Sequence, residues 1–214
     1  MLIAMNTGGI AGTNCYLIGD DEAKQAVVFD APDHTVAPLL DLAAEKGLEV
    51  IGLWLTHGHF DHIADHAEVT RRFPDAKVMI HRLDEPKLQK PNSAFFQLPF
   101  TIPSRDADGH VEDGQPLAIG NLRVKVIHTP GHAPGHVMYH LPQEKLLIGG
   151  DLIIGGAVGR TDLPDSDQDE LFRSIRSVMR LPGDTRLLPG HGQVSTLDDE
   201  RRTNPFVQHA LASE

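Results

Sequence analysis

The sequence predicts an α/β fold, and three observations support that prediction. Strand-like and helix-like segments alternate along most of the chain, which is the order typical of α/β proteins. Several short apolar runs end in glycine turns, as buried strands do. Histidine and aspartate residues follow these turns, and α/β folds place their chemistry at the carboxyl ends of strands. Because 214 residues can bury one sizeable core, we expect residues 1–214 to form a single domain.

The first half of the chain supplies four expected strands and two expected helices before the long proline-rich segment. In chain order we expect strands at 14–18 and 26–30, a helix at 35–46, a strand at 50–55, a helix at 63–73 and a strand at 77–80. Gly47 is well placed to end the first helix, and Pro74 lies just beyond the end of the second. Cys15 lies within the first strand, and we expect it to be a buried small hydrophobe.

The second half repeats the alternation. We expect strands at 122–127, 137–141, 145–148 and 185–188, a helix at 166–179 and a short helix at 196–202. The helix at 166–179 is amphipathic, because Leu171, Phe172, Ile175 and Val178 recur at helical spacing. No internal repeat of 20–50 residues is visible at the level of motif identity.

A proline-rich segment at 86–116 interrupts this pattern. It also contains Phe95, Phe96 and Phe100. A loop of this length inside a compact domain is usually functional or disordered, and three phenylalanines argue against disorder. Two interpretations remain open: the loop is pinned to the core by aromatic anchors, or it forms an apolar wall or lid for a substrate.

Composition and charge exclude several classes of protein. Hydrophobic residues make up 40% and charged residues 23% of the chain, as in ordinary soluble globular proteins. We expect no membrane span, since no apolar run approaches about 20 residues, and no signal peptide in residues 1–18. One cysteine excludes internal disulfides and suits the cytoplasm, which is the location we predict. The net charge of −11 argues against a general nucleic-acid binder.

The most informative segment is Thr56–His62, which reads T-H-G-H-F-D-H. It brings His57, His59, Asp61 and His62 together directly after the expected strand at 50–55. Imidazole and carboxylate are ligands that zinc, iron and manganese all accept. A tag-like histidine tract would lie in a flexible, low-complexity neighbourhood, whereas this one lies between a strand and a helix. The segment therefore predicts a metal site.

Three further strands lead into glycine turns that carry candidate ligands. The strand at 122–127 precedes His132, the strand at 145–148 precedes Asp151, and the strand at 185–188 precedes His191. With the first segment, five histidines and two aspartates could converge on one sheet edge. Seven ligands exceed the four or five of one zinc ion, and they suit two metals that share a carboxylate.

These motifs resemble those of metallo-β-lactamase-fold hydrolases, and within that fold the glyoxalase II (hydroxyacylglutathione hydrolase) branch. The resemblance is carried by Thr56–His62, Thr129–His136, Gly150-Asp151 and Pro189–Gly192, and it extends from about residue 14 to residue 204. It implies an αββα sandwich of two mixed β-sheets flanked by helices. It also implies a short form of the branch, without the C-terminal helical domain of longer members.

The resemblance implies a role for each candidate residue. The first metal would be held by His57, His59 and His132, the second by Asp61, His62 and His191, and Asp151 would bridge them. The expected metals are two divalent ions, with zinc preferred over iron or manganese. Asp61 would also orient the attacking hydroxide and shuttle a proton. Arg160 falls where the branch has its glutathione-binding lysine, so it would anchor an anionic substrate; an internal pair with Asp162 or Asp165 is the alternative.

The function implied is hydrolysis of S-lactoylglutathione or a related acyl-thioester, a small anionic substrate, by a metal-bridging hydroxide. Two enzymatic alternatives remain open. A persulfide dioxygenase with one iron would use His57, His132 and Asp151, and such enzymes share the sequence found at Gly159–Asp162. A hydrolase of another ester or lactone would use the same site. A non-catalytic metal-binding protein is disfavoured because all seven ligand positions are filled. The sequence does not predict the oligomeric state.

Overall fold

The structure is a computed structural model, and it describes residues 1–91 and 97–213. Two compact units divide the chain: Met1–Val111 with Ala118–Leu122, and Glu112–Leu117 with Arg123–Glu214. Within the described residues the strands form two mixed sheets of six strands each. That residues 1–214 behave as one domain stays a prediction.

The sheet of the first unit has the strand order β1-β2-β3-β4-β5-β6. Its strands are β1 (Leu2–Gly8), β2 (Thr13–Asp20), β3 (Gln25–Phe29), β4 (Glu49–Trp54), β5 (Lys77–His81) and β6 (Gly109–Val111). The pairs β1–β2 and β2–β3 are antiparallel, whereas β3 to β6 are parallel. Parallel strands bring their carboxyl ends to one edge of the sheet, and this edge receives the residues that follow β3 and β4.

The helices of the first unit are α1 (Ala37–Glu45), α2 (Phe60–Ile63), α3 (His66–Arg72) and α4 (Glu85–Gln89). Leu39, Leu40 and Ala43 of α1 join the hydrophobic core that the strands build. The end of α1 is as predicted, because Gly47 follows it with φ of +63°, a conformation that glycine adopts without steric cost.

The helix predicted at 63–73 begins earlier and is interrupted. It is divided into α2 and α3, because the backbone of Ala31 interrupts the helical hydrogen bonds. Ala31 N donates to His62 O at 2.7 Å, and Asp65 N donates to Ala31 O at 2.8 Å. Asp61 and His62 are therefore fixed on the short helix α2 rather than on a loop.

The proline-rich segment contains more regular structure than predicted. Pro86 lies in the first turn of α4, where its missing N–H costs nothing, and β6 and β7 (Pro116–Ile119) lie farther along. Phe100 packs against the core of the first unit, as the anchor interpretation predicts. Phe95 and Phe96 lie outside the described residues.

The sheet that contributes to the second unit has the strand order β12-β11-β10-β9-β8-β7. Its remaining strands are β8 (Leu122–His128), β9 (Val137–Leu141), β10 (Leu146–Gly150), β11 (Arg186–Pro189) and β12 (Ser195–Thr196). The neighbouring strands β10 and β11 are parallel. The residues that follow these two strands therefore lie at the same edge.

The helices of the second unit are α5 (Gln168–Val178), α6 (Leu197–Thr203) and α7 (Pro205–Ala212). Leu171 and Ile175 of α5 are buried in the core of this unit beside Met138 and Leu187. The helix α7 was not predicted, although Asn204 caps it and a proline opens it.

Two other sequence expectations can be compared with the structure. Cys15 is fully buried, and burial raises the pKa of its thiol to about 12, so it remains a protonated, inert side chain at neutral pH. Among the described residues, no helix has both the length and the apolar character needed to cross a membrane.

Candidate metal centre

The candidate ligands of the first unit are oriented by a buried aspartate. Asp30 follows β3 and Thr56 follows β4, at the edge where these parallel strands end. Asp30 Oδ1 accepts from Thr56 N, and Asp30 Oδ2 accepts from the Thr56 hydroxyl, both at 2.8 Å. Asp30 has φ of +59°, a conformation that aspartate tolerates better than most residues. Its carboxylate therefore fixes the start of the ligand segment.

The same carboxylate assigns the tautomers of two histidines. His62 Nδ1 donates to Asp30 Oδ2 at 2.8 Å. The Thr56 hydroxyl already donates to Asp30, so its oxygen accepts the hydrogen of His57 Nδ1 at 3.0 Å. Both rings then carry their lone pair on Nε2, which is the form that binds metal.

All four candidate ligands of Thr56–His62 lie close together. The ring of His57 is 4.7 Å from that of His59 and 4.1 Å from that of His62, measured between centroids. Asp61 Oδ2 lies 3.5 Å from His62 Nε2. Two ligands about 2.1 Å from one tetrahedral ion are about 3.4 Å apart, so Asp61 and His62 have the spacing of ligands on a shared ion.

Two further side chains hold this segment in place, and neither was predicted from the sequence. Thr13, at the start of β2, donates its hydroxyl hydrogen to Asp61 Oδ2 at 2.7 Å. Asp84 Oδ2 accepts from Gly58 N at 2.7 Å, and a Cβ at Gly58 would lie only 2.8 Å from Asp84 O. Position 58 therefore requires glycine. Only the tertiary fold brings positions 13 and 84 to this segment, so the sequence carried no signal for them.

The candidate ligands of the second unit also converge. Asp151 follows β10 and His191 follows β11, the parallel pair of this sheet. Asp151 Oδ2 lies 3.2 Å from His191 Nε2 and 3.6 Å from His132 Nε2. One carboxylate oxygen thus stands between two imidazoles at ligand-to-ligand spacing, as a bridging carboxylate requires.

Backbone and side-chain partners fix this second group as well. His132 Nδ1 donates to Arg160 O at 2.9 Å, which again leaves the lone pair on Nε2. His136 Nε2 accepts from Asp151 N at 2.9 Å, so its Nδ1 hydrogen is donated to Thr129 Oγ1 at 2.8 Å. His136 is therefore a hydrogen-bonding structural residue, and it holds the backbone of Asp151.

Arg160 lies at the surface and forms an ion pair with Asp162. Its Nε and Nη2 donate to the two carboxylate oxygens of Asp162 at 2.6 and 2.7 Å, and the two side chains are 56% and 68% exposed. This hydrogen bonding raises the pKa of Arg160 and holds the pKa of Asp162 below its usual value. The internal pair considered from the sequence is thus present, and a role in substrate binding stays a prediction.

Comparison with known proteins gives a family match across both units. A model described as the metallo-beta-lactamase superfamily matches residues 8–191, a span that includes every candidate ligand. The chain is 34% identical over 206 residues to the probable metallo-hydrolase YqgX of Bacillus subtilis (strain 168), which covers 95% of each chain. It is 33% identical over 204 residues to the hydroxyacylglutathione hydrolase GloC of Haemophilus influenzae (strain ATCC 51907 / DSM 11121 / KW20 / Rd), covering 91% of this chain and 92% of that one.

Solved structures agree with this match. The B3 metallo-beta-lactamase BLEG-1 is 32% identical with a TM-score of 0.88, over 96% of this chain and 99% of that one. TTHA1623 in a di-iron-bound form is 35% identical with a TM-score of 0.83, over 96% and 100%. ETHE1 from Myxococcus xanthus is 27% identical with a TM-score of 0.79, over 99% and 90%. The predicted fold class, two mixed sheets flanked by helices, is confirmed.

Proposed function

The chain belongs to the metallo-beta-lactamase superfamily, and from this premise we propose that it is a thioesterase that hydrolyses S-lactoylglutathione or a related acyl-thioester. Superfamily members bind divalent metals, and the chain is a metal-dependent hydrolase in that general sense. The thioester assignment rests on one observation above all, the similarity to a hydroxyacylglutathione hydrolase over 91% of this chain.

The residues present fit divalent metal ions. Three of the five candidate histidines have Nδ1 bonded to an oxygen, which turns each ring into an Nε2 ligand. Imidazole with carboxylate suits zinc, and iron and manganese also accept this donor set. We propose that the two groups of ligands act jointly, with zinc as the preferred metal. The full set is His57, His59, Asp61, His62, His132, Asp151 and His191.

Besides the candidate metal ligands, the proposed thioester hydrolysis requires few protein groups. When bound, the ions would lower the pKa of an attacking water and polarise the thioester carbonyl. Asp61 keeps one carboxylate oxygen bonded to the Thr13 hydroxyl, and we assign to this carboxylate the orientation of the water and the transfer of its proton. Arg160 would hold an anionic group of the substrate, with which its fork of N–H donors can form paired hydrogen bonds.

The alternative reactions use the same residues. A persulfide dioxygenase would hold one iron with His57, His132 and Asp151, and the Gly159–Asp162 sequence supports that alternative. Hydrolysis of another ester or lactone is the other alternative, because one scaffold in this superfamily supports many substrates. The further expectations, a cytoplasmic location and a small-molecule partner rather than nucleic acid or membrane, are part of the same proposal.

Metal content and thioester hydrolysis, measured on one purified sample, test the proposal directly. We expect about two metal ions per chain and release of thiol from S-lactoylglutathione. About one iron per chain, with no thiol release and with oxygen uptake on glutathione persulfide, would move the assignment to the dioxygenase. Two metals without thiol release would overturn the thioesterase and leave a hydrolase of another substrate.

A pair of histidine variants tests the site itself. His59→Ala removes a ligand, so we expect it to abolish thioester hydrolysis and to lower the metal content. His34→Ala is the matched control, because that side chain is 92% exposed and lies outside the proposed ligand set. Retained hydrolysis by His59→Ala at full metal loading would exclude His59 as a ligand.

A further inference from the structure

One short segment contacts two candidate ligands of the second unit, His132 and Asp151, and passes beside the residue that follows the third, His191. We define it as the 152–160 loop. It begins directly after Asp151, and it ends at Arg160, whose carbonyl oxygen accepts from His132 Nδ1 at 2.9 Å. Between these ends it passes the turn after His191, since a Cβ at Gly192 would lie 3.5 Å from Ile154 O. A shift of this loop would therefore reach His132 and Asp151 together.

The returning end of the loop fits tightly against two of these ligands. A Cβ at Gly159 would lie 2.1 Å from Asp151 O and 2.9 Å from His132 Nδ1, closer than any real Cβ contact. Only glycine leaves room for this approach. The position of Gly159 is thus coupled directly to the two ligands it touches.

The tip of the loop has little stiffness of its own. Gly155 and Gly156 form it, with φ of +61° and +83°, and glycine has the largest conformational freedom of all residues. Two backbone hydrogen bonds flank the bridge between Ile153 and Val158 at the base of this tip, from Ile154 N to Ala157 O at 3.0 Å and from Gly159 N to Leu152 O at 3.5 Å, and neither involves the N–H groups of the two glycines. Such a tip needs contacts from outside to keep one geometry.

Two buried polar side chains from the last two helices provide these contacts. Glu200, on α6, accepts at Oε2 from Gly156 N at 3.1 Å, and Asn204 Nδ2 donates to Ala157 O at 2.9 Å. The two side chains also bond each other, from Asn204 Nδ2 to Glu200 Oε2 at 2.8 Å. Their exposed fractions are 3% and 0%. A carboxylate this buried is costly unless its hydrogen bonds are made, so the arrangement resists displacement.

We propose that Glu200 and Asn204 are positioning residues for the metal centre. They hold the tip of the 152–160 loop, and the loop sets the geometry of His132 and Asp151. The proposal rests on the proposed function only in requiring that these ligands bind metal. It gives α6 and α7 a role in metal binding although neither helix supplies a ligand.

Substitution of Glu200 distinguishes a positioning role from an effect on helix stability. Asn204 also caps α7, because its Oδ1 accepts from Phe206 N at 3.0 Å and Val207 N at 3.3 Å, so its removal would disturb two features at once. Glu200→Ala removes the acceptor for Gly156 N and one of the two acceptors of Asn204 Nδ2, while the Asn204 oxygen that caps α7 remains. Glu200→Gln keeps an oxygen at the same reach and should restore binding. Glu200→Asp, which is one methylene shorter, is a milder second test if the alanine variant does not fold.

The matched control is Thr196→Val. Thr196 caps the same helix, since its Oγ1 accepts from Asp199 N at 3.1 Å, and it makes no contact with the 152–160 loop among the hydrogen bonds of the described residues. Loss of an N-cap lowers helix stability. The control therefore reproduces a stability loss at α6 without touching the loop.

The experiment is zinc affinity of the full-length variants, measured by chelator competition, together with amide hydrogen exchange of the metal-free proteins. We expect Glu200→Ala to weaken zinc binding by about tenfold, the lower end of the effect of losing an outer hydrogen bond to a ligand. Exchange should rise within residues 152–160. Glu200→Gln should bind like the wild type, Glu200→Asp should follow the alanine variant, and Thr196→Val should keep wild-type affinity.

Two results with the variants would overturn the proposal. One is wild-type zinc affinity in both Glu200→Ala and Glu200→Asp. The other is an equal loss of affinity in Thr196→Val, which would reduce the effect to stability. A wild-type chain that binds no zinc would overturn this proposal along with the proposed metal site. Zinc binding without thioester hydrolysis would overturn only the thioesterase.

Discussion

At the scale of single residues, the proposed ligands depend on neighbours that contact no metal. Asp30 holds His62 directly and His57 through Thr56, and Arg160 O holds His132. Each of these oxygens selects the tautomer with its lone pair on Nε2. Ligands that are oriented in advance bind metal more tightly. Loss of such a hydrogen-bond partner typically costs about 10- to 100-fold in metal affinity or activity, and we expect a loss in that range when one of these partners is removed.

Thr13 is the residue where this reasoning gives the cleanest prediction. Thr13→Val keeps the shape of the side chain but removes the hydroxyl that donates to Asp61 Oδ2 at 2.7 Å. We expect a loss of metal affinity and of hydrolysis of about 10-fold or more, and recovery in Thr13→Ser. Thr7→Val is the control, since Thr7 Oγ1 donates to Asn14 Oδ1 on the same hairpin at 2.7 Å. Equal losses in both valine variants would contradict a specific role for Thr13.

The Arg160–Asp162 pair leads to a prediction about substrate charge. An anionic substrate must compete with Asp162 for the guanidinium, because both carboxylate oxygens already accept from Arg160. We expect Arg160→Ala to raise KM for an anionic thioester more than it lowers kcat, and Asp162→Asn to lower KM. The measurement is steady-state kinetics with S-lactoylglutathione and with an uncharged thioester. Equal effects on both substrates would show that Arg160 does not recognise charge.

At the scale of elements, buried strands were predicted closely, and the helices α1, α5 and α6 also lie within two residues of their predicted bounds. The buried strands β2, β4 and β9 lie within two residues of their predicted bounds, because an apolar run between turn residues is a strong signal. The short strands β6 and β12 have no such run, since their pairing rather than their composition defines them. Most of helix α2 was not predicted, because Asp61 and His62 were interpreted as metal ligands and the expected helix began only at residue 63.

The residues of the candidate site also differ in how well the sequence predicts them. Its seven candidate ligands were predicted by motif, since each lies in a short segment that contains glycine and follows an expected strand. Asp30 was visible only as the end of a strand, and nothing in the sequence marked its link to Thr56 and His62. No motif indicated Glu200 or Asn204 either, because their hydrogen bonds to the 152–160 loop join positions more than 40 residues apart. A sequence motif can therefore predict the candidate metal ligands, whereas only the tertiary structure shows which residues hold those ligands in place.

Helix α3 is tied to the segment near Phe100 by a histidine that titrates. His66 Nε2 donates to Pro103 O at 2.8 Å, and burial lowers the pKa of His66, with nearby Arg105 acting in the same direction and Asp65 in the other. In the unfolded chain the pKa of histidine is about 6.5, so as the pH falls below that value the unfolded state binds the proton first. The contribution of His66 to stability is therefore fully present above the unfolded pKa and is lost as the pH falls toward the folded pKa.

His66→Gln tests this link, because the glutamine amide nitrogen can reach the same carbonyl and does not titrate. Urea unfolding of both proteins at pH 5 and pH 7.5, with the same chelator present, isolates the difference. We expect the wild type to lose more of its unfolding free energy on acidification than the variant. His209→Gln, a change at the surface of α7, serves as the control. An identical pH dependence in wild type and His66→Gln would rule out the proposed link.

At the scale of the whole molecule, charge and metal binding act together. The formal net charge is −11, and part of it belongs to Asp61 and Asp151, the carboxylates proposed as ligands. Two divalent cations would offset part of that charge and reduce the self-repulsion of the folded chain. The candidate ligands come from both units, so a metal that engaged the full set would bind only when both units are folded.

Metal removal should therefore destabilise the entire chain rather than one element. A ligand that binds only the folded state raises the free energy of unfolding by about 2.7 kcal/mol when its free concentration is 100 times its dissociation constant. We expect Tm to rise steadily with buffered free zinc, to fall on chelation and to recover when zinc is restored. His59→Ala should flatten this dependence, because it lowers affinity without changing the rest of the fold. If Tm did not change with free zinc, the folded chain would hold no zinc ion strongly enough to contribute to its stability. The proposal that the two groups of ligands act jointly would then have to be abandoned.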